Sequence, residues 1–509
     1  MLKDPNLEKK SLGVLVHPTS LPGGSYCGTF GNGLKNWIDL LSVNRIYTWQ
    51  FLPLTPTDSL GSPYSSPSSF ALNPWFLDAN ELNINGYIED SKHVEKIRLE
   101  GLNINSLNFK VAYNLSILIG DLLLENWNSQ SNSIKKEFFI WLENNQWVNE
   151  YSIFTVLKEE FKLIPWWEWP KEFRDRDKIK LNLWAKENSN KLLIKKLIQW
   201  HLNRQWLEIK KYAALKGVKL VGDIPFYVSR DSVDVWSNKS LFSISNIGEL
   251  LYQSGVPPDY FSSNGQLWGT PVYNWSQHVK TEFNWWKKRF KRQFELVDIL
   301  RLDHFRALAG YWRVDGKAKN AINGEWVKSP GIELLKSLKD YLKLNNLPII
   351  AEDLGVITDD VNSLRNDFDL PGMKILQFAF DGNEDNPYLP ENIKTNNCVV
   401  YTGTHDNSTT ISWWDNLDEI VKKEIINKYK FSDNPSWNLI DLGMKTNAKL
   451  FVATLQDILS LDDASRLNRP GTISNNWKWK YSKSLIELKP FLKRFGTLGL
   501  TYERNNNFQ

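Results

Sequence analysis

The stretch VDILRLDHFRA, residues 297–307, carries three apolar residues (Ile299, Leu300, Leu302) into Asp303 and His304, with Arg301 and Arg306 close by. A short unbroken apolar run of this kind suits a strand buried on both faces, as in a parallel sheet. Residues two apart in a strand point to the same face, so Arg301 and Asp303 share one. Either the charges simply end a buried strand, or the strand delivers Asp303 to a place where it reacts.

Seven further runs have the same form: LGVLVH (12–17), RIYTWQFLPL (45–54), VKLVGDI (218–224), LPIIAED (347–353), MKILQFAFD (373–381), NCVVYTGTHD (397–406) and KLFVATLQDIL (449–459). Most stop at a polar or catalytically capable residue. Helical patterns such as GNGLKNWIDLLSVN (31–44) and DDVNSLRNDF (359–368) lie between them. Strand and helix alternating eight times predict an α/β fold, a (β/α)8 TIM barrel; a doubly wound open sheet is the alternative. The second and third runs are too far apart for one crossover. Residues 80–205 read as a mostly helical insertion within a single catalytic barrel domain spanning 1–509. The basic, aromatic stretch WWKKRFKRQFE (285–295) reads as a solvated amphipathic helix and not as a nucleic-acid patch, because its apolar residues recur at helical spacing.

Composition narrows the function classes. Of 509 residues, 42% are hydrophobic and 24% charged, and the net charge is +4, so nothing in the whole-chain charge argues for nucleic acid or membrane. Two cysteines, Cys27 and Cys398, stand far apart without metal-binding or disulfide-framework spacing, which suits a reducing compartment. With no secretory signal pattern and no apolar run near the ~20 residues of a membrane span, a cytoplasmic location is expected. The 24 tryptophans invite a carbohydrate reading, since flat rings stack on sugar faces, but most are expected in cores.

In a barrel, chemistry sits at the C-terminal ends of the strands. Asp303, Glu352 and Asp406 fall there on three strands, and Asp223 on a fourth. Clustered buried carboxylates are costly unless paired, and Arg301, Arg306 and His405 are available as partners. Two carboxyls with different protonation states are what a retaining glycosidase mechanism requires. Arg301 is expected to hold Asp303 ionised and lower its pKa, as a nucleophile needs. Glu352, after an apolar strand, is expected to be raised by desolvation toward a general acid. Asp406 and His405 would hold the sugar ring. The six histidines show no HxxxH or HExxH spacing, the glycine-rich loop at 21–33 lacks the GK[ST] ending of a phosphate cradle, and no GxSxG elbow occurs. No metal and no cofactor is expected.

Taken together, HPTSLPG (17–23), WQFLPLTPT (49–57), SPYSSPSSFALNP (62–74), GDIPFYVSRDSVDVW (222–236), GVPPDYFSSNGQLWGTPVYNW (255–275), RLDHFRAL (301–308), IIAEDLGVIT (349–358), YTGTHDNSTT (401–410) and RLNRPGTISNNWKW (466–479) resemble the 4-alpha-glucanotransferases, or amylomaltases, of glycoside hydrolase family 77 in the alpha-amylase clan. The resemblance covers nearly the whole chain in order. It implies Asp303 as nucleophile, Glu352 as acid/base and Asp406 as transition-state stabiliser. It also implies sugar contacts from Ser62, Tyr64, Asp223, Gln266, Trp268, Arg301, His304, His405 and Asn468, and a loop with Asp259, Tyr260 and Phe261 that covers the site. Maltooligosaccharides and α-1,4-glucans would be both donor and acceptor. Thr270 and Ser408 stand where the family usually has Asn and Asp. The residues alone leave open an α-1,4-glucan hydrolase and a non-catalytic glucan-binding protein.

Overall fold

The computed structural model describes residues 10–22, 27–89, 91–100, 106–258 and 262–504. Twelve strands occur among them: β1 (Ser11–Leu15), β2 (Thr48–Gln50), β3 (Lys219–Ile224), β4 (Tyr252–Val256), β5 (Gln266–Pro271), β6 (Ile299–Leu302), β7 (Gly310–Asp315), β8 (Gly324–Lys328), β9 (Ile349–Ala351), β10 (Gly372–Ile375), β11 (Cys398–Tyr401) and β12 (Leu450–Thr454). Eight of these close into a parallel barrel in the order β1-β2-β3-β6-β9-β10-β11-β12, because β1 pairs with both β2 and β12. Each of the eight apolar runs contains one barrel strand. The doubly wound alternative is excluded by that closure.

Burial on both faces explains the runs. Val221, Ile299, Ile350, Met373, Ile375, Val399, Tyr401, Leu450 and Val452 fill the barrel interior. Their neighbours Leu220, Leu300, Leu302, Ile349, Ala351, Val400 and Phe451 pack outward against helices. Burying each such side chain stabilises the fold by roughly 1.5–3 kcal/mol. The helix Asn32–Val43 shows the outer layer: Leu34, Trp37, Ile38 and Leu41 are buried at helical spacing. It stops before Arg45, which takes a left-handed φ of 59°.

Between β2 and β3 the described residues from Ala79 onward are mostly helical, ending in the long helix Ser189–Leu215. Two buried glutamines of that helix act as clamps. Gln199 accepts from the Leu72 N–H and donates to its carbonyl, and Gln205 does the same for Asp78. No helix among the described residues is long and apolar enough to cross a membrane.

Beside the barrel, β4 and β5 belong to an antiparallel sheet in the order β5-β4-β7-β8. One reading needs correction. The basic helix, Asn284–Leu296, is amphipathic, yet Arg289 and Arg292 are buried within it and not solvated. Arg289 donates to the carbonyls of Pro225 and Phe226, just beyond β3. Arg292 donates to the Phe70 carbonyl and to Asn203. Tertiary carbonyls consume the charges that a nucleic-acid patch would expose. The tryptophans are mostly core: among the described residues only Trp268 (37% exposed) and Trp326 (46%) have more than a third of their surface in solvent.

Candidate active site

Strand periodicity builds the site. The inward row of β3 runs from Val221 to Asp223, that of β6 from Ile299 through Arg301 to Asp303, and that of β9 from Ile350 to Glu352. Register sets their height: Asp223 pairs with Arg301, and Leu302 pairs with Ala351, so Asp303 and Glu352 leave their strands at the same level. Each row is apolar within the barrel and charged at its mouth.

Arg301 is the hub. Its Nη1 lies 2.7 Å from Asp223 Oδ2 and its Nη2 2.9 Å from Asp303 Oδ1. The Tyr64 hydroxyl donates to the same Asp223 oxygen at 2.8 Å. The other Asp223 oxygen, Oδ1, is buried without a partner. Arg301 does not keep the Asp303 pKa below the ordinary carboxylate value, as the sequence suggested. Burial pushes it up; the Arg301 guanidinium opposes the rise, while the charges of Asp223 and Asp406 add to it.

Glu352 is pushed up further, to about 8, first by burial and then by the charge of Asp303. Its oxygens accept from two backbone N–H groups, His304 at 2.7 Å and Leu354 at 3.0 Å. The first bond depends on His304 adopting a left-handed backbone, φ 54°, a conformation that costs a non-glycine residue on the order of 1 kcal/mol. Burial holds the His304 imidazole at about 3, hence neutral. Its ring meets the Trp268 ring edge-on at 4.8 Å.

Asp406 lies beyond the end of β11. Asn468 donates to its Oδ1 at 2.6 Å, and His405 Nε2 is 3.3 Å from the same atom. The His405 ring stacks on Tyr64 with centroids 5.2 Å apart and planes 11° from parallel, which ties the loop after β11 to the loop after β2. Ser62 forms part of a tight turn whose hydroxyl accepts from the Tyr64 N–H. Gln266 lies on β5, where its side-chain oxygen accepts from the Trp268 indole at 3.3 Å. Asp259, Tyr260 and Phe261 lie outside the described residues.

The two departures from the family pattern have local partners. Thr270 and Ser254 hydroxyls are 2.5 Å apart, and the Ser408 hydroxyl accepts from Arg466 Nη1 at 2.8 Å. Arg466 itself escaped the sequence reading. It also donates to the backbone carbonyls of Asp406 and Asn468 and so fixes the loop bearing both. Its place two residues before Asn468 was the available signal. Trp477, 5.8 Å from Tyr64 and 6.0 Å from His405, and Tyr227, 6.2 Å from His304, were missed as well.

Residues 16–486 match the family model described as glycoside hydrolase family 77, 4-alpha-glucanotransferase. A Synechocystis 4-alpha-glucanotransferase is 40% identical over 93% of this chain and 94% of its own length. One from Thermus thermophilus is 35% identical over 92% and 94%. An amylomaltase from Streptococcus agalactiae, solved with acarbose, superposes with a TM-score of 0.92 at 33% identity, covering 98% of this chain and all of its own. With residues 16–486 matched to the family model and the barrel closed, this chain belongs to the 4-alpha-glucanotransferases of glycoside hydrolase family 77.

Proposed function

We propose that the enzyme moves α-1,4-glucan segments from a donor chain to an acceptor glucan or glucose by a retaining double displacement. Asp303 attacks the anomeric carbon while Glu352 gives its proton to the glycosidic oxygen, and the bond between them breaks. The donor's reducing-end fragment leaves, and a glycosyl ester on Asp303 remains. Glu352, now ionised, takes the proton from the 4-hydroxyl of an incoming glucan, whose oxygen displaces Asp303 and forms a new α-1,4 bond. Asp406, oriented by Asn468, stabilises the oxocarbenium-like transition states, with His405 beside it. Tyr64 and Trp268 offer ring faces to the sugars, and Ser62, Asp223, Gln266, Arg301 and His304 complete the binding set, with Asp259, Tyr260 and Phe261 as a cover.

The observation that carries this reading is the divergence of two neighbouring carboxyls. Asp303 touches the guanidinium, whereas Glu352, half-buried, forms no salt bridge among the described residues and holds its proton up to about pH 8. Residues 80–205 act as a helical subdomain of one catalytic domain. The two free, buried cysteines suit a cytoplasmic enzyme.

Incubation with maltotriose separates the readings. Glucose and longer maltodextrins at constant reducing-end count are expected. A rising reducing-end count without longer chains would make this a hydrolase, and an unchanged substrate would favour a glucan-binding protein. Asp303→Asn is expected to abolish turnover while leaving the circular dichroism spectrum intact.

A further inference from the structure

A small cavity lies between the end of β3, the segment that follows it and the helix Asn284–Leu296. About 20 Å³ of it is open to the centre of a water molecule, which is room for one. Three of its lining side chains carry a buried polar atom with no hydrogen-bond partner among the described residues: Asp223 Oδ1, the Tyr227 hydroxyl and Arg289 Nε. Each of the three residues is more than nine-tenths buried, with 3%, 7% and 2% of its surface exposed. Buried polar groups are normally satisfied, so three such atoms on residues bordering one water-sized space call for a common partner.

The chemistry of the three specifies that partner. Arg289 Nε only donates, and a carboxylate oxygen such as Asp223 Oδ1 only accepts. Burial pushes the Tyr227 phenol well above its ordinary pKa, so it keeps its proton and donates as well. One water molecule accepts two hydrogen bonds and donates two, so it satisfies all three atoms at once. A metal cation is a poor occupant, because the Arg289 guanidinium lines the same space.

Arg289 also fixes the backbone that carries the other two. Its Nη2 and Nη1 donate to the carbonyls of Pro225 and Phe226 at 2.6 and 3.1 Å, within the short segment joining Asp223 to Tyr227. On the far side of the carboxylate, Asp223 Oδ2 takes Tyr64 and Arg301, and Arg301 is shared with Asp303.

We propose that Tyr227 and Arg289 are positioning residues: through one water bound in this cavity they hold Asp223, and through Asp223 they set Arg301 against Asp303. The inference rests on the reading of Asp303 as nucleophile. Asp303 is faced by the charges of Arg301 and His405, which favour its ionised form, and of Asp223 and Asp406, which oppose it; its own charge acts on Glu352. Without its water, Asp223 draws harder on the shared guanidinium, and its charge weighs more heavily on Asp303. Both effects make Asp303 harder to ionise.

The test uses Tyr227→Phe, which removes the hydroxyl and keeps the ring, and Arg289→Lys, which keeps the charge and removes Nε. Arg289→Lys also loses its carbonyl contacts, so Tyr227→Phe is the variant that separates positioning from folding. Maltotriose kinetics against pH are measured for each, alone and combined with Asp223→Asn, beside high-resolution crystal structures of the wild type and Tyr227→Phe. The wild type should show a water within hydrogen-bond distance of Asp223 Oδ1, the Tyr227 hydroxyl and Arg289 Nε. In Tyr227→Phe, kcat should fall about three- to tenfold with KM changed less than about twofold, and the ascending limb should move up by about half a pH unit. Combined with Asp223→Asn, Tyr227→Phe should add no further change, since both act through one carboxylate. A cavity without water in the wild type, an unmoved limb, or equal losses with and without Asp223 would each overturn the proposal. A wild type inactive on maltotriose would refute the transferase reading instead. The bridge would then stand or fall on the water and on whether Asp223 and Arg301 shift in Tyr227→Phe.

Discussion

Glu352→Gln isolates the acid/base step. With its pKa pushed up to about 8, Glu352 carries its proton in about nine of ten molecules at pH 7. An ordinary glutamic acid near 4.5 would carry it in roughly three of a thousand, so the environment enlarges the acid form about 300-fold. Because the protonated form is the active acid, the rate should fall as pH rises through about 8. The ascending limb belongs to ionisation of Asp303 and lies above the usual aspartate range. The two limbs are macroscopic values of an interacting pair. Glutamine has the same shape and no proton to give, so transfer from maltotriose should drop by about 10²–10⁴-fold. An activated donor, α-maltotriosyl fluoride, has a leaving group that needs no protonation, and the variant should release fluoride from it in a burst as Asp303 is glycosylated. The assay is initial rate against pH from 4 to 9 for the wild type, with maltotriose and fluoride release for the variant. A descending limb near pH 5, or a variant equally slow on both donors, would refute the assignment.

Asp223→Asn should act in two directions at once. It leaves the buried Arg301 with Asp303 as its remaining carboxylate contact, and the loss should be about 3 kcal/mol of stability, seen as a lower Tm. Removing that negative charge also relieves Asp303, so the ascending limb of the rate profile should move to lower pH. Gly496→Ala would place a methyl group 1.9 Å from the Asn44 carbonyl oxygen, where the C-terminal helix crosses the turn after Asn32–Val43. Backbone cannot yield as a side-chain tip can, and a loss of about 1–3 kcal/mol is expected by thermal unfolding, with site geometry untouched.

The barrel and the catalytic candidates were legible for one reason. Burial on both faces writes an unbroken apolar run, and the inward row of each strand must turn polar where the barrel opens. Ile299, Arg301 and Asp303 record that change within five residues. The antiparallel sheet left no such trace. Trp326 on β8 and Trp268 on β5 are exposed, so those strands carry no apolar run to notice. Long-range clamps were illegible for a different reason. The partners of Arg292 lie 89 and 222 residues away, and Arg466 reaches back 60 residues to the Asp406 carbonyl. An arginine at helical spacing reads as solvated until the fold brings unpaired carbonyls to it.

The corrected expectation for Asp303 follows from counting charges within the cluster. Asp303 feels the charges of Asp223 and Asp406, Glu352 feels that of Asp303, all around a single guanidinium, and burial taxes the ionised forms of Asp303 and Glu352. At an effective dielectric constant near 20, two like charges 4 Å apart repel by about 4 kcal/mol, far more than the 1.4 kcal/mol of one pKa unit. The cluster therefore lowers its free energy by holding a proton, and geometry decides where. Asp223 and Asp303 each contact Arg301 directly, and Asp406 is 43% exposed with Asn468 and His405 beside it. For Glu352, burial and the charge of Asp303 outweigh the two backbone N–H groups that favour its ionised form, and it has no salt bridge among the described residues, so the proton settles there. The same arginine that fails to depress Asp303 below its ordinary value still ensures that Asp303 ionises before Glu352, and this order is what a nucleophile paired with a general acid requires.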